Sequence, residues 1–131
     1  MIVVDTSYSL AAVMPDETRP ASLEYALQAR LLVPAIWPLE VANALRNSLR
    51  RGRLDAQQLP ALCETLEALE VEVEQPSPSP LRGVLEAAQR HGLTPYDASY
   101  LELALQRRAS LATLDTQLAA AARRANIPVL D

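Results

Sequence analysis

Short apolar runs alternate along the chain with longer stretches of helical periodicity. Ile2-Val3-Val4 is too brief for a helix and stops at Asp5, so it reads as a buried strand. A helix is expected over 7–13 and a second over about 19–30, followed by Leu31-Leu32-Val33 as strand two, which Pro34 ends. Pro38 opens a helix to about Arg51, with Val41, Leu45 and Leu49 on its apolar face and Gly52 at its C-terminus. From Ala56 to Glu70, Leu59, Leu62, Leu66 and Leu69 recur at helical spacing, while Glu64, Glu67 and Glu70 fall on a solvated face. Val71 to Glu74 alternates like a short strand with one wet side.

The second half repeats the alternation. Leu81, Val84, Leu85 and Ala88 mark a helix closed by His91-Gly92, where His91 suits a C-terminal charge or cap. Thr94 to Arg108 is another helix, Ser110 to Leu114 is strand-length, a last helix runs from Asp115 to about Asn126, and Pro128-Val129-Leu130 reads as a final strand. Strands alternating with helices imply an α/β fold, a mostly parallel sheet with helices on both faces. Pro76-Ser77-Pro78-Ser79-Pro80 has the composition of a linker, but the 51 residues beyond it would need their own core. It is therefore read as a loop within one domain spanning 1–131.

In open parallel sheets the functional crevice lies outside the C-terminal ends of the strands. Asp5 follows strand one and Asp115 follows the 110–114 run, so both acids belong at that edge. Asp97 stands in the first turn of its helix, on the side of Leu101, Ala104 and Leu105, and so faces the sheet. Glu40 is also in a first turn, but Trp37 at its N-cap position has no oxygen to complete a capping box. Each acid has an ordinary structural role open to it: Asp5 and Asp115 as N-caps, and Asp97 as the acid of a Thr94-Pro95-Tyr96-Asp97 capping box. Several carboxylates meeting at one edge would repel one another and stay ionised only beside a cation. Mg²⁺ or Mn²⁺ takes oxygen ligands and suits acids without a His/Cys cluster.

Composition narrows the chemistry. All twelve cations are Arg, which excludes a P-loop lysine or a Schiff-base lysine, and the single His91 argues against a Ser/His/Asp triad. A haloacid-dehalogenase-like phosphatase wants a second Asp two residues after the nucleophile, where Ser7 stands here. One cysteine, Cys63, excludes an internal disulfide and suits a reducing compartment. Phe is absent, so the core must be aliphatic around Trp37 and four Tyr. The net charge of −4 equals what the four candidate carboxylates contribute, leaving the remainder neutral. Arg46, Arg50, Arg51 and Arg53 form a candidate phosphate-binding cluster. The start Met1-Ile2-Val3-Val4-Asp5 has no basic region and no long apolar run, so a cytoplasmic protein with no membrane span is expected.

Four segments together resemble the PIN-domain ribonucleases, and more narrowly the VapC-type toxins of bacterial and archaeal toxin–antitoxin pairs. They are Asp5-Thr6-Ser7 after an apolar run, Glu40-Val41-Ala42-Asn43-Ala44-Leu45, Tyr96-Asp97-Ala98-Ser99-Tyr100-Leu101-Glu102, and Leu111-Ala112-Thr113-Leu114-Asp115 before an Ala-rich helix and Ile127-Pro128-Val129. The resemblance covers the chain from end to end and rests on the order and spacing of the segments. It implies a three-layer α/β/α sandwich in which Asp5, Glu40, Asp97 and Asp115 bind Mg²⁺ or Mn²⁺ and activate water against single-stranded RNA. By the same resemblance Thr113 carries a supporting hydroxyl, Asn43 is the polar residue after the glutamate, and the protein is a homodimer. Its partner would be a small antitoxin whose tail can place a basic side chain in the acidic site. Thr116 and Gln117 follow Asp115 where many relatives carry a further acid, which predicts one firmly held ion and a second, weaker one. The opposing expectation is a non-catalytic binding module in which the acids are only helix caps.

Overall fold

The computed structural model describes residues 1–75 and 81–131. In chain order the elements are β1 (Ile2–Val4), α1 (Thr6–Val13), α2 (Leu23–Ala26), β2 (Leu31–Val33), α3 (Trp37–Arg50), a 3-10 turn (Ala56–Gln58), α4 (Leu59–Glu67), β3 (Glu72–Val73), α5 (Leu81–His91), α6 (Pro95–Arg107), β4 (Ser110–Ala112), α7 (Thr116–Arg124) and β5 (Val129–Leu130). All strands are parallel in one sheet of order β3-β2-β1-β4-β5. β1 is central, pairing Val3 with Leu32 on one side and with Leu111 on the other. Val3, Leu32, Val33 and Leu111 are fully buried, as continuous apolar runs in a sheet covered on both faces must be.

Strand order reverses at the β1–β4 pair. Because parallel crossovers are right-handed, chains leaving that centre in opposite directions put α1 and α7 on opposite faces. The packing agrees: α1 lies against α3 and α4, whereas α6 lies against α5, α7, β1 and β4. This is the α/β/α sandwich expected. Its topological switch point lies between β1 and β4, where a ligand crevice is expected. Pro76 to Pro80 lie outside the described residues, and the strands on either side of them share the one sheet. No helix among the described residues is long and apolar enough to cross a membrane.

Several expected elements are shorter than their patterns. The helix foreseen over about 19–30 contracts to Leu23–Ala26. Pro20 limits it at one end, and at the other the Arg30 carbonyl must accept from the Ile2 N–H at 2.9 Å to feed β2 into the sheet. The Ala56 to Glu70 stretch splits into a 3-10 turn and α4, since Pro60 in the first turn of α4 lacks the N–H that would continue a helix. Strand 110–114 leaves the ladder after Ala112, and the Leu114 N–H turns to Ser7 Oγ at 3.0 Å. β3 is an edge strand with both residues exposed rather than one.

The largest departure is α5. Ala87 and Ala88 seat it beside Ala98, while Leu81 is 86% exposed and Val84 and Leu85 are half exposed. The apolar face read from the sequence thus points largely away from the core. His91 does end α5 as expected, with Nε2 2.8 Å from Glu102 Oε1.

Candidate acidic site at the strand ends

β1 stops where Asp5 begins, and the local chain explains why. Asp5 adopts an extended conformation and caps α1, its Oδ1 accepting from the Tyr8 N–H at 2.8 Å. Its carboxylate also accepts from Ser7 Oγ at 2.7 Å and from Thr113 Oγ1 at 2.5 Å. At 4% exposure, burial holds the Asp5 carboxyl above the usual range despite these donors, and Asp115 raises it further. Beneath it, Ser9 Oγ donates to the Asp5 carbonyl at 2.8 Å and accepts from Trp37 Nε1 at 3.0 Å.

Asp115 is built in the same way at the end of β4. It caps α7 by accepting from the Leu118 N–H at 2.8 Å, and its own N–H donates to Thr113 Oγ1 at 3.0 Å. Buried Thr113 therefore joins the two acids through one hydroxyl, donating to Asp5 and accepting from Asp115.

The other two acids arrive on helices. The N-cap of α6 is Thr94, whose Oγ1 accepts from the Asp97 N–H at 3.2 Å, and Pro95 occupies the first helical position. The capping box foreseen is half formed: the Asp97 carboxylate does not return a bond to the Thr94 N–H. Its carboxyl is pushed up to about 6, first by desolvation and then by the charges of Asp115, Asp5 and Glu40. That order of causes puts all four acids in one electrostatic neighbourhood.

Glu40 in the first turn of α3 accepts from the Tyr100 hydroxyl at 2.6 Å. Thr6 Oγ1 lies 3.0 Å from that hydroxyl and 3.4 Å from Glu40 Oε1, tying α1, α3 and α6 together. The phenol of Tyr100, almost wholly buried beside a carboxylate, is driven far above its ordinary pKa and stays a donor.

Among the described residues no three His, Cys, Asp or Glu side chains already enclose a metal position. Mg²⁺ does not require such a cage, because it keeps several waters and binds through one or two carboxylates plus substrate phosphate. A donor set made only of carboxylate and hydroxyl oxygens fits Mg²⁺ or Mn²⁺.

The remaining sequence candidates scatter. Asn43 is exposed one turn beyond Glu40. Arg46, Arg50 and Arg51 are exposed on or just past α3, but Arg53 is turned away onto Asp16 at 2.9 Å and Glu17 at 3.3 Å. Tyr100, Thr6, Ser7 and Ser9 were not singled out as site residues. The signal was there for three of them: Thr6 and Ser7 sit directly after Asp5, and Tyr100 lies three residues past Asp97 on the same helix.

Comparison with known proteins bears on this arrangement. The PIN domain family matches residues 2–124. Ribonuclease VapC3 of Pyrobaculum aerophilum is 35% identical over 123 residues, 90% of this chain and 92% of that protein. Ribonuclease VapC9 of Mycobacterium tuberculosis is 34% identical over 120 residues, 90% of this chain and 88% of its own. Among solved structures, PAE2754 from Pyrobaculum aerophilum superposes with a TM-score of 0.71 at 29% identity, covering 92% of this chain and 84% of that one. FitAcB from Neisseria gonorrhoeae, at a TM-score of 0.55 and 19% identity over 100% of this chain and 97% of that one, shares the fold. With a family match over residues 2–124 and near full-length relatives at 34–35% identity, the chain belongs to the PIN-domain family and, within it, to the ribonucleases of the VapC type.

Proposed function

We propose that this protein is a Mg²⁺-dependent endoribonuclease, with Mn²⁺ able to substitute, that acts as the toxin of a toxin–antitoxin pair. What supports the reading is geometry at the switch point: Thr113 joins Asp5 to the start of Asp115 at the ends of adjacent strands, and Thr6 and Tyr100 tie Glu40 to α1 and α6, the helix whose first turn carries Asp97. Bound Mg²⁺ supplies a water of lowered pKa and neutralises charge at the leaving oxygen of an RNA phosphodiester. Asp5 and Asp115, fixed by cap bonds, hold the rigid side of the site. Glu40 is oriented by Tyr100, and the Asp97 carboxyl sits in the first turn of α6, whose start Thr94 caps through the Asp97 N–H.

The polypeptide partner is a small antitoxin, and the protein acts as a cytoplasmic homodimer. Leu81, Val84 and Leu85, left exposed on α5, are apolar surface of the kind a protein partner covers. Arg46, Arg50 and Arg51 remain candidates for RNA phosphate.

The competing reading is a binding module whose acids only cap helices, and the cap bonds of Asp5 and Asp115 favour it for those two residues. Asp97 and Glu40 make no such bonds, which favours the nuclease. Cleavage of single-stranded RNA is measured with and without Mg²⁺ and with Asp97→Asn. Cleavage that requires the ion and is lost in the variant supports the nuclease. Unchanged melting in Mg²⁺ together with an Asp97→Asn variant that unfolds would favour the cap reading.

A further inference from the structure

Between the α5–α6 turn and α7 lies an open groove of about 290 Å³, lined by Gly92, Leu93, Thr116, Gln117, Ala120 and Arg124. Its two walls are the chain segments that carry two of the acids. The Gly92–Leu93 turn leads through Thr94 into Asp97, and the α7 wall begins at Thr116, the residue after Asp115. Thr116, Gln117, Ala120 and Arg124 recur along one stripe of α7, opposite Leu118, Ala119, Ala121 and Ala122, which face the core. The stripe runs eight residues, about 12 Å at the helical rise. One end of the groove is therefore a single residue along the chain from Asp115, and the other lies at Arg124 near the end of α7.

Its chemistry differs from that of the site. Thr116 and Gln117 are neutral donors and acceptors. Gln117 can donate and accept at once through its amide, which is what a nucleobase edge requires. The one charged side chain in the lining is Arg124, whose Nη2 reaches the His91 carbonyl at 3.4 Å and so spans from α7 to the opposite wall. A guanidinium at the far end of a neutral groove, with an acidic site at the near end, suits a nucleotide whose base sits in the groove and whose phosphate faces Arg124. The half-buried Leu93 and Ala120 give the base an apolar surface to lie against.

We infer that this groove is the base-recognition subsite of the RNA substrate. It holds one nucleotide next to the cleaved bond, with Gln117 and Thr116 reading the base edge and Arg124 holding a flanking phosphate. The inference rests on the ribonuclease reading for the identity of its ligand. A single base position would then carry most of the sequence preference, since phosphate contacts position RNA without reading it.

The test measures binding apart from cleavage. The full chain in chelator is titrated with fluorescent single-stranded hexanucleotides that differ in one base at a time, and affinity is read by anisotropy. The parent should prefer one base at one position by about tenfold, and Gln117→Ala should flatten that preference. Arg124→Ala should weaken all hexanucleotides alike and reduce the salt dependence by about one counterion. Both substituted side chains are exposed, and circular dichroism verifies that the variants are folded.

A base preference that survives Gln117→Ala overturns the subsite. So does binding unchanged by both variants, the result expected if the groove takes a protein segment instead. A parent that binds RNA with base preference but never cleaves it with Mg²⁺ overturns the nuclease and leaves the subsite standing. A parent that binds no hexanucleotide overturns the subsite, and cleavage of RNA with Mg²⁺ then decides the nuclease reading separately.

Discussion

The acidic site has two halves built on different physics. Asp5 and Asp115 stand at strand ends, where each caps a helix and both are joined through Thr113, so every bond they make also holds the fold. Glu40 and Asp97 stand in first turns of helices whose starts are set by other groups: Pro38 near the start of α3, and Thr94 with Pro95 at α6. The carboxyl of Asp97 is spared from capping because Thr94 supplies the oxygen. On the proposed function, cap and ligand roles would fall on the same carboxylates at the strand ends, whereas on the helices other groups set the helix starts. Substitutions should distinguish the halves, the first costing both fold and activity, the second activity alone.

The largest effect tests that separation directly. Asp97→Asn should lower RNA cleavage by about 10³-fold, the scale of losing a positioned charge-stabilising group, while leaving urea denaturation midpoints unchanged or slightly raised. The slight rise follows from removing a carboxylate that its neighbours Asp115, Asp5 and Glu40 repel. Asp5→Ala should abolish cleavage as well and also cost about 3 kcal/mol, through the lost α1 cap and a buried Thr113 hydroxyl left without its acceptor. Equal destabilisation by the two substitutions would erase the distinction between the halves.

A smaller effect concerns pH. The Asp97 carboxyl titrates near 6 in the fold against 3.8 when unperturbed, so the folded chain holds that proton more tightly than the unfolded chain. Its contribution to stability is greatest below about pH 4, declines as pH rises through the window from 4 to 6, and is gone above it. Bound Mg²⁺ reverses the trend because it favours the ionised form. At a tenfold excess over its Kd, Mg²⁺ should raise the melting temperature by about 5 °C at pH 7.5. At pH 5 the ion must displace a proton from Asp97, and the gain should shrink severalfold. A gain that stays constant from pH 5 to 7.5 would remove Asp97 from the ion's ligands.

The same division governs what could be read from the sequence. Asp5 directly follows the apolar run Ile2-Val3-Val4 and Asp115 closes the strand-length run from Ser110, so the positions of both acids at the strand ends were legible along with the parallel sheet. Asp97 was legible as inward-facing because helical periodicity is local. The long-range bonds that fix each half were not readable from local pattern. Tyr100 meets Glu40 across 60 residues and Thr113 meets Asp5 across 108, and no local pattern encodes such distances. Arg53 failed as a member of the arginine cluster for the same reason, since its partners Asp16 and Glu17 lie 37 and 36 residues away. The exposed face of α5 reverses the problem: Leu81, Val84 and Leu85 satisfy the helical pattern, but periodicity says only that a face is apolar and not what covers it.

Tyr100 gives the finest probe of how the helix-borne half is aimed. Its hydroxyl is the closest hydrogen-bond partner of Glu40, and its ring is packed in the core, so Tyr100→Phe keeps the shape and removes one bond. If the bond only stabilised the fold, the variant would lose about 1 kcal/mol and bind Mg²⁺ as the parent does. If it also sets the direction of the carboxylate, Glu40 gains rotamer freedom that the ion must freeze again, and the Mg²⁺ or Mn²⁺ affinity measured by calorimetry without RNA should fall about fivefold. Thr6, within 3.4 Å of Glu40 Oε1, can take over part of the bond, which is why the loss should stay below that of a ligand substitution. Glu40→Gln supplies the ceiling, because it removes the charge while keeping the acceptor that Tyr100 meets. An affinity in Tyr100→Phe equal to the parent's would make Tyr100 a core residue with a convenient acceptor, and Glu40 would then be aimed by α3 alone.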